Sequence, residues 1–304
     1  MTATGARLRL IAAAVLFSTG GAAIKWCGFD PWQLAAGRGF VAMWAIALLV
    51  PESRRGWSWR AGVVGLAYAG AGLSFVLANK LTTAASTIFL QATNPLFILA
   101  LAPWLLRERV TRRELAYMAV LVVGMAFLLS NPGRQFATAP NPPLGNLIAL
   151  GCSVWWALTL IGYRWLAGSA PERFGSVAAA AAVGNGLVFL IALPFALPLQ
   201  PGRPADWLTI VFLGVFQLGM AYVFLARGIT RVPALEASLV MLVEPVLNPI
   251  WAWLVQGETP GTRAILGGVI ILVATGVRAW VEVGRPVSSP SGTAPPRALP
   301  DPAE

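Results

Sequence analysis

Apolar residues in this chain come in runs of about twenty, separated by short charged or proline-rich stretches. A helical run of that length spans the roughly 30 Å hydrocarbon core of a bilayer. Ten such runs can be drawn, at about 8–26, 32–50, 61–79, 84–106, 114–130, 144–166, 174–194, 207–226, 234–255 and 264–281. Breaks fall at Glu52 to Arg55, at Arg107 to Arg113, at Asn131 to Pro143 and at Pro198 to Asp206. A backbone inside lipid must satisfy its own hydrogen bonds, so every run is expected to be a helix. The reading is an all-α polytopic membrane protein with ten transmembrane helices. Beyond them, residues 282–304 carry Pro286, Pro290, Pro295, Pro296, Pro300 and Pro302 among small and polar residues. That composition builds no helix and no core, and a disordered tail is expected.

Charge gives the runs a direction. With the N-terminus in the cytoplasm, that side holds Arg7, Arg9, Arg54, Arg55, Arg60, Arg107, Arg109, Arg112, Arg113, Arg164, Arg173, Arg227, Arg231, Arg278, Arg285 and Arg297. The other side holds only Lys25, Lys80, Arg134, Arg203 and Arg263. Cationic loops stay inside, so both termini are expected in the cytoplasm and residues 131–143 outside. The first run, with Arg7 and Arg9 before it and small residues at Gly20 to Ala23, has the look of a signal peptide. It is read as a retained span, because the repeat described below needs it as the partner of the sixth.

Composition agrees and excludes several functions. Hydrophobic residues make up 57% of the 304 and charged residues 11%, against about 25% charged in a soluble domain. The mean hydropathy is +0.71, and no stretch outside the spans is long enough for a second folded domain. The net charge of +10 suits anionic lipid headgroups rather than nucleic acid. Histidine is absent, which removes catalytic triads and histidine metal sites. Cys27 and Cys152 have no metal-binding spacing and are expected to stay unpaired. No phosphate-binding loop of the GxxxxGK[ST] type occurs, so ATP hydrolysis is not expected and no cofactor is implied. Seven of the thirteen tryptophans (Trp26, Trp32, Trp57, Trp59, Trp104, Trp165 and Trp207) fall near span ends, as an aromatic belt requires.

The chain also repeats itself. Asn94-Pro95 corresponds to Glu244-Pro245, Glu108 to Glu258, Arg113 to Arg263, Ala84 to Ala234 and Ala102 to Ala252, all at an offset of 150. Lys25-Trp26 ends the first span as Arg164-Trp165 ends the sixth. Residues 1–130 thus form one five-helix unit, 131–143 a periplasmic connection, 144–281 a second unit and 282–304 a cytoplasmic tail. Five is odd, so the second unit enters the membrane from the opposite side and the repeats are inverted. Secondary transporters are commonly built this way, with the substrate site at mid-membrane between the halves.

These residues carry a resemblance. Lys80 to Val110, with Ala84-Ala85-Ser86, Asn94-Pro95 and Arg107-Glu108-Arg109, resembles the fourth span of the EamA family of the drug/metabolite transporter superfamily. Ala234 to Glu258, with Glu244-Pro245-Val246 and Gln256-Gly257-Glu258, resembles its ninth, and Gly37-Arg38-Gly39 is similar to its arginine-containing second helix. The resemblance covers about residues 8–281 and implies an inner-membrane transporter of small metabolites, often an exporter. Arg107 stands where the family usually has glycine, which loosens the expected turn after span four.

A charge at mid-bilayer costs roughly 2.5–3.5 kcal/mol, so those present should serve a purpose. Glu244 lies close to mid-span, and Pro245 and Pro249 each remove a helical hydrogen bond, so kinks are expected there and at Pro95. Thr87, Gln91, Asn94 and Ile98 share one face of span four, and at offset 150 the polar set continues as Glu244 and Asn248. Two such stripes can face one another across a cavity, or merely glue helices together. Arg38, between two glycines, is expected to pair with Glu244, to bind an anionic substrate group, or to snorkel to the outer surface. Tyr68, Trp155 and Tyr222 are candidates for an amphipathic pocket, with Trp156 as the alternative to Trp155. Glu236 is expected at the headgroups, and Glu108 and Glu258 as charge pairs at helix ends. The functional expectation is a secondary transporter working by alternating access, exporting amino acids or related amphipathic compounds, with proton coupling through Glu244. A multidrug or lipid-type carrier, or a membrane scaffold, is the alternative. Oligomeric state has no signature here.

Overall fold

The computed structural model describes residues 3–105, 110–130, 137–166, 173–229 and 234–283. Among them ten helices are long and apolar enough to cross a membrane, and no β-strand occurs. They are α1 (Thr4–Trp26), α2 (Pro31–Leu49), α3 (Trp59–Leu81), α4 (Ala84–Leu101), α5 (Arg112–Ser130), α6 (Pro142–Leu166), α7 (Gly175–Ala196), α8 (Pro204–Leu225), α9 (Leu239–Gln256) and α10 (Thr262–Val281). All ten coincide with the expected runs within a few residues. The expected tail, most of the connection at 131–136, and Arg107, Glu108, Arg109, Arg134 and Arg231 lie outside the described residues.

Local sequence explains where the helices start and stop. Asp30 Oδ1 accepts the N–H groups of Trp32 and Gln33 at 2.8 and 3.1 Å, with Pro31 opening α2. Ser58 and Thr83 cap α3 and α4 through the N–H groups of Ala61 and Ser86. α9 ends at Gly257, whose φ of 70° is left-handed and whose N–H bonds to the Trp253 carbonyl. Glycine takes that conformation without a Cβ clash, and it turns Glu258 back over the end of the bundle.

Four spans are interrupted, and two of the interruptions match. Span α4 breaks between Gln91 and Asn94, and α9 breaks at Leu242. Ala92 and Leu242 are 150 residues apart, the offset of the repeat. The expected kinks at Pro95 and Pro245 therefore take another form: each proline enters the first turn of a restarted helix, where its missing N–H costs nothing. α1 breaks at Thr19, where the Ser18 and Thr19 hydroxyls donate back to the carbonyls of Val15 and Leu16, both at 2.7 Å. α8 carries a π-helical segment, Phe212–Met220.

Packing exchanges the halves. α1 lies against α8 and α9, while α6 lies against α3 and α4; α2 pairs with α7, and α5 with α10. A two-fold relation between inverted halves is compatible with this exchange. Glycines set the closest approaches. A Cβ on Gly37 would lie 2.7 Å from Ile210 of α8, and one on Gly39 2.7 Å from the Asn185 carbonyl oxygen of α7. Helices in lipid associate through such small residues.

Candidate functional site

The order of the spans puts residues 26–31, 81–84, 137–142, 196–204 and 256–262 at one end of the bundle, here termed the locked end. Glu258 and Lys25 meet there, Nζ to Oε1 at 2.7 Å, with side-chain exposures of 2% and 0%. The ammonium has three N–H donors, and the other two acceptors are the carbonyls of Thr82 at 2.7 Å and Thr138 at 2.6 Å. The carboxylate accepts the Thr138 hydroxyl at 2.5 Å and the Ala84 N–H at 3.1 Å. Residues from α1, from the α3–α4 turn, from the segment before α6 and from the end of α9 are thus tied to one buried charge pair. The expectation of a charge pair at Glu258 holds; its repeat mate Glu108 lies outside the described residues.

Further bonds close the same end. Lys80 donates to the carbonyls of Cys27 at 2.6 Å and Phe29 at 3.0 Å. Gln33 and Gln200 exchange two hydrogen bonds, at 2.9 and 2.8 Å. Asp206, 2% exposed, accepts the Gly28 N–H at 2.7 Å and the Arg203 side chain. The Asp206 carboxylate in turn holds the Arg203 guanidinium charged, above its ordinary range. Burial pushes the Cys27 thiol up, so it stays protonated; both cysteines are free. Lys25 and Lys80, counted above as flanking charges, turn inward instead. Lipid would leave them unsatisfied, whereas loop carbonyls are within reach.

The ion pairs at the opposite, arginine-rich end differ. Arg7 and Glu236 pair at 2.5 Å with exposures of 52% and 33%, so Glu236 is at the surface as expected. Arg278 and Glu114 stand 3.8 Å apart, with about a quarter of each side chain exposed.

Between the ends, polar atoms lack partners. Arg38 is buried, its Nη1 has no hydrogen-bond partner, and Phe75 lies against it at 6.0 Å from guanidinium carbon to ring centre. The expected Arg38–Glu244 pair is absent among the described residues, and burial rules out the snorkelling alternative. The reason is packing: Gly37 and Gly39 draw α7 and α8 over both sides of Arg38, away from α9. Asn248 is fully buried against Gly21 of α1, and neither of its amide atoms has a partner. Gln91 Oε1 and Gln217 Oε1 are likewise enclosed and unpaired. Asn94 donates to the Gln91 carbonyl at 3.0 Å, across the break in α4, which ends the single-face stripe from Thr87 to Ile98. No hydrogen bond joins Gln91 or Asn94 to Glu244 or Asn248 among the described residues.

Three of the four tyrosines gather in one interior cluster. Tyr68 and Tyr222 have ring centres 6.2 Å apart, and Tyr163 packs into the same cluster. Phe17 meets Tyr222 edge-on at 5.5 Å, Trp156 lies 6.2 Å from Tyr68, and Asn185 donates to the Tyr68 hydroxyl at 3.3 Å. Trp155 is elsewhere: 40% exposed and over Gly70, where a Cβ would lie 2.5 Å from its ring. Of the two adjacent tryptophans it is Trp156 that faces the tyrosines. Tyr163, Asn185 and Gln217 carry no sequence signal beyond being polar in apolar runs. Two grooves, of about 400 and 600 Å³, open sideways between α1, α8 and α9 and between α5 and α10; neither is lined by these mid-span residues.

Comparison with known proteins adds the family. The model of the EamA-like transporter family matches this chain twice, at residues 6–130 and 143–277. An uncharacterized transporter of Clostridium kluyveri is 24% identical over 70% of this chain and 68% of its own. YetK, an uncharacterized transporter of Bacillus subtilis, is 26% identical over 63% of this chain and 60% of its own. The aromatic amino acid exporter YddG of Ancylobacter novellus is 25% identical, covering 70% and 72%. A solved crystal structure at 22% identity superposes with a TM-score of 0.60 over 91% of this chain and 97% of that one, a likeness of fold. With ten apolar helices and both halves matched, the protein belongs to the EamA-like transporter family.

Proposed function

We propose that this protein is a secondary transporter that exports amino acids or related amphipathic compounds across the bacterial inner membrane by alternating access. In this reading the arginine-rich end faces the cytoplasm, as the positive-inside rule requires, and both termini are there. The locked end is then external, and the conformation described is sealed to the outside. The supporting observation is a contrast within one bundle: a fully satisfied buried ion pair at one end, where single atoms of Asn79 and Gln256 are unpartnered, and at mid-span a larger set of orphaned polar atoms that includes a charged group, on Arg38, Gln91, Gln217 and both amide atoms of Asn248. A static assembly has no use for such atoms, since each costs about 1–3 kcal/mol unpaired. Export, rather than uptake, is the activity named for the Ancylobacter relative.

Glu244 is the acidic group placed to carry a coupling proton, next to the break in α9. Arg38, Tyr68, Gln91, Asn94, Tyr222, Asn248 and one of the two tryptophans form the proposed substrate-contacting set. The test is flux through proteoliposomes against amino acids and their deaminated acids, with and without a pH gradient. Flux of at least one aromatic compound is expected, and Glu244→Gln should remove its dependence on the gradient. A protein silent across the whole panel contradicts the reading.

A further inference from the structure

Arg38 is a buried cation in search of a charge. Among the described residues the ionisable groups that act on it are the phenols Tyr68 and Tyr222 and the thiol Cys152, none of them an acid that would face it as a carboxylate does, and the Cys152 thiol is already given to the Ala71 carbonyl at 3.3 Å. No carboxylate pairs with it among the described residues. Phe75 lies against the guanidinium, and Tyr68, one of the phenols that act on it, leads to Trp156 and Tyr222, each with a ring centre 6.2 Å from its own. A group that completes this environment brings one negative charge and a flat apolar body. A carboxylate fits the planar fork of arginine in bidentate fashion, and rings stack or meet edge-on with the aromatic walls.

An α-amino acid fits less well. Its ammonium is two bonds from its carboxylate, so docking on Arg38 sets a second cation beside the first, where no described carboxylate is paired to face it. We infer that the Arg38 site selects small aromatic monocarboxylates over zwitterionic amino acids with the same ring. This rests on the transport reading, because Arg38 is enclosed here and a ligand reaches it only when the spans move.

The experiment is equilibrium binding to the purified full chain in lipid nanodiscs, read by tryptophan fluorescence and calorimetry. The probes are 3-phenylpropionate, phenylalanine and phenethylamine, which share a ring and differ in charge. We expect 3-phenylpropionate to bind about tenfold or more tighter than phenylalanine, and phenethylamine not to bind. Arg38→Gln should lose at least about tenfold in 3-phenylpropionate affinity, the scale of a lost charge-assisted pair, while its thermal stability holds. Arg38→Lys should retain part of the affinity. Phenylalanine binding as tightly as 3-phenylpropionate, or an Arg38→Gln protein with unchanged affinity, overturns the assignment. Binding through Arg38 without flux in proteoliposomes would sink the transport reading and leave the site intact. Flux of phenylalanine with no binding of 3-phenylpropionate would do the reverse.

Discussion

Lys25 and Arg38 are both buried cations in a lipid-embedded bundle, and their surroundings are opposite. Lys25 sits at the locked end with three acceptors for three donors, one of them a carboxylate 2.7 Å away. Arg38, at mid-span, has an enclosed Nη1 with no partner and a phenyl ring for company. Burying a charge is tolerated when it is paired and hydrogen-bonded, and is otherwise expensive. The first site is therefore organised to hold elements together. The second, in the proposed reading, is organised around something that arrives.

The comparison makes opposite demands on two substitutions. Glu258→Gln strands Lys25, and the loss should be largest of all, roughly 3–5 kcal/mol, seen as a fall in thermal midpoint. Replacing both partners, with Lys25→Met and Glu258→Leu, should recover most of it. Next in size is Gly257→Ala, which forces a Cβ into the left-handed turn that aims Glu258 inward and should cost roughly 1–2 kcal/mol. Thr138→Val removes one hydroxyl from the lock and should cost about 0.5–1.5 kcal/mol by the same assay. Arg38→Gln, in contrast, should leave stability unchanged or improve it, because it takes away an unpaired charge. If it instead unfolds the protein as Glu258→Gln does, the distinction between the two cations fails.

Much of this frame was legible from the chain. Runs of about twenty apolar residues locate all ten helices, and the proline, glutamate and arginine spacing at offset 150 points to matched irregularities in α4 and α9, expected as kinks and found as breaks. Gln256-Gly257-Glu258 reads as a helix stop followed by a terminal charge, and the stop occurs where expected. The partners were not legible. Lys25 looks like any lysine flanking a span, and only the folded chain brings it to Glu258, 233 residues on. Tyr68, Tyr163 and Tyr222 lie on three separate helices that nothing in their local sequence brings together. Arg38 and Glu244 are two charges in apolar spans, so pairing is one of the readings the sequence leaves open; in the fold the glycines on both sides of Arg38 pack it against α7 and α8. Proline suggests a kink, whereas the chain uses Pro95 and Pro245 in the first turn of new helices, where proline gives up no hydrogen bond; Pro249 stays inside its helix.

In the proposed mechanism the locked end must open for transport. In a background lacking Cys27 and Cys152, Lys25→Cys and Glu258→Cys together leave no buried charge unpaired and place two thiols across the lock. A short bifunctional thiol linker joins them, and flux in proteoliposomes is measured before linking, after linking, and after cleaving a reducible form of the linker. The account expects flux to stop on linking and to return on cleavage. Flux that continues at full rate with the lock tied shut would contradict it.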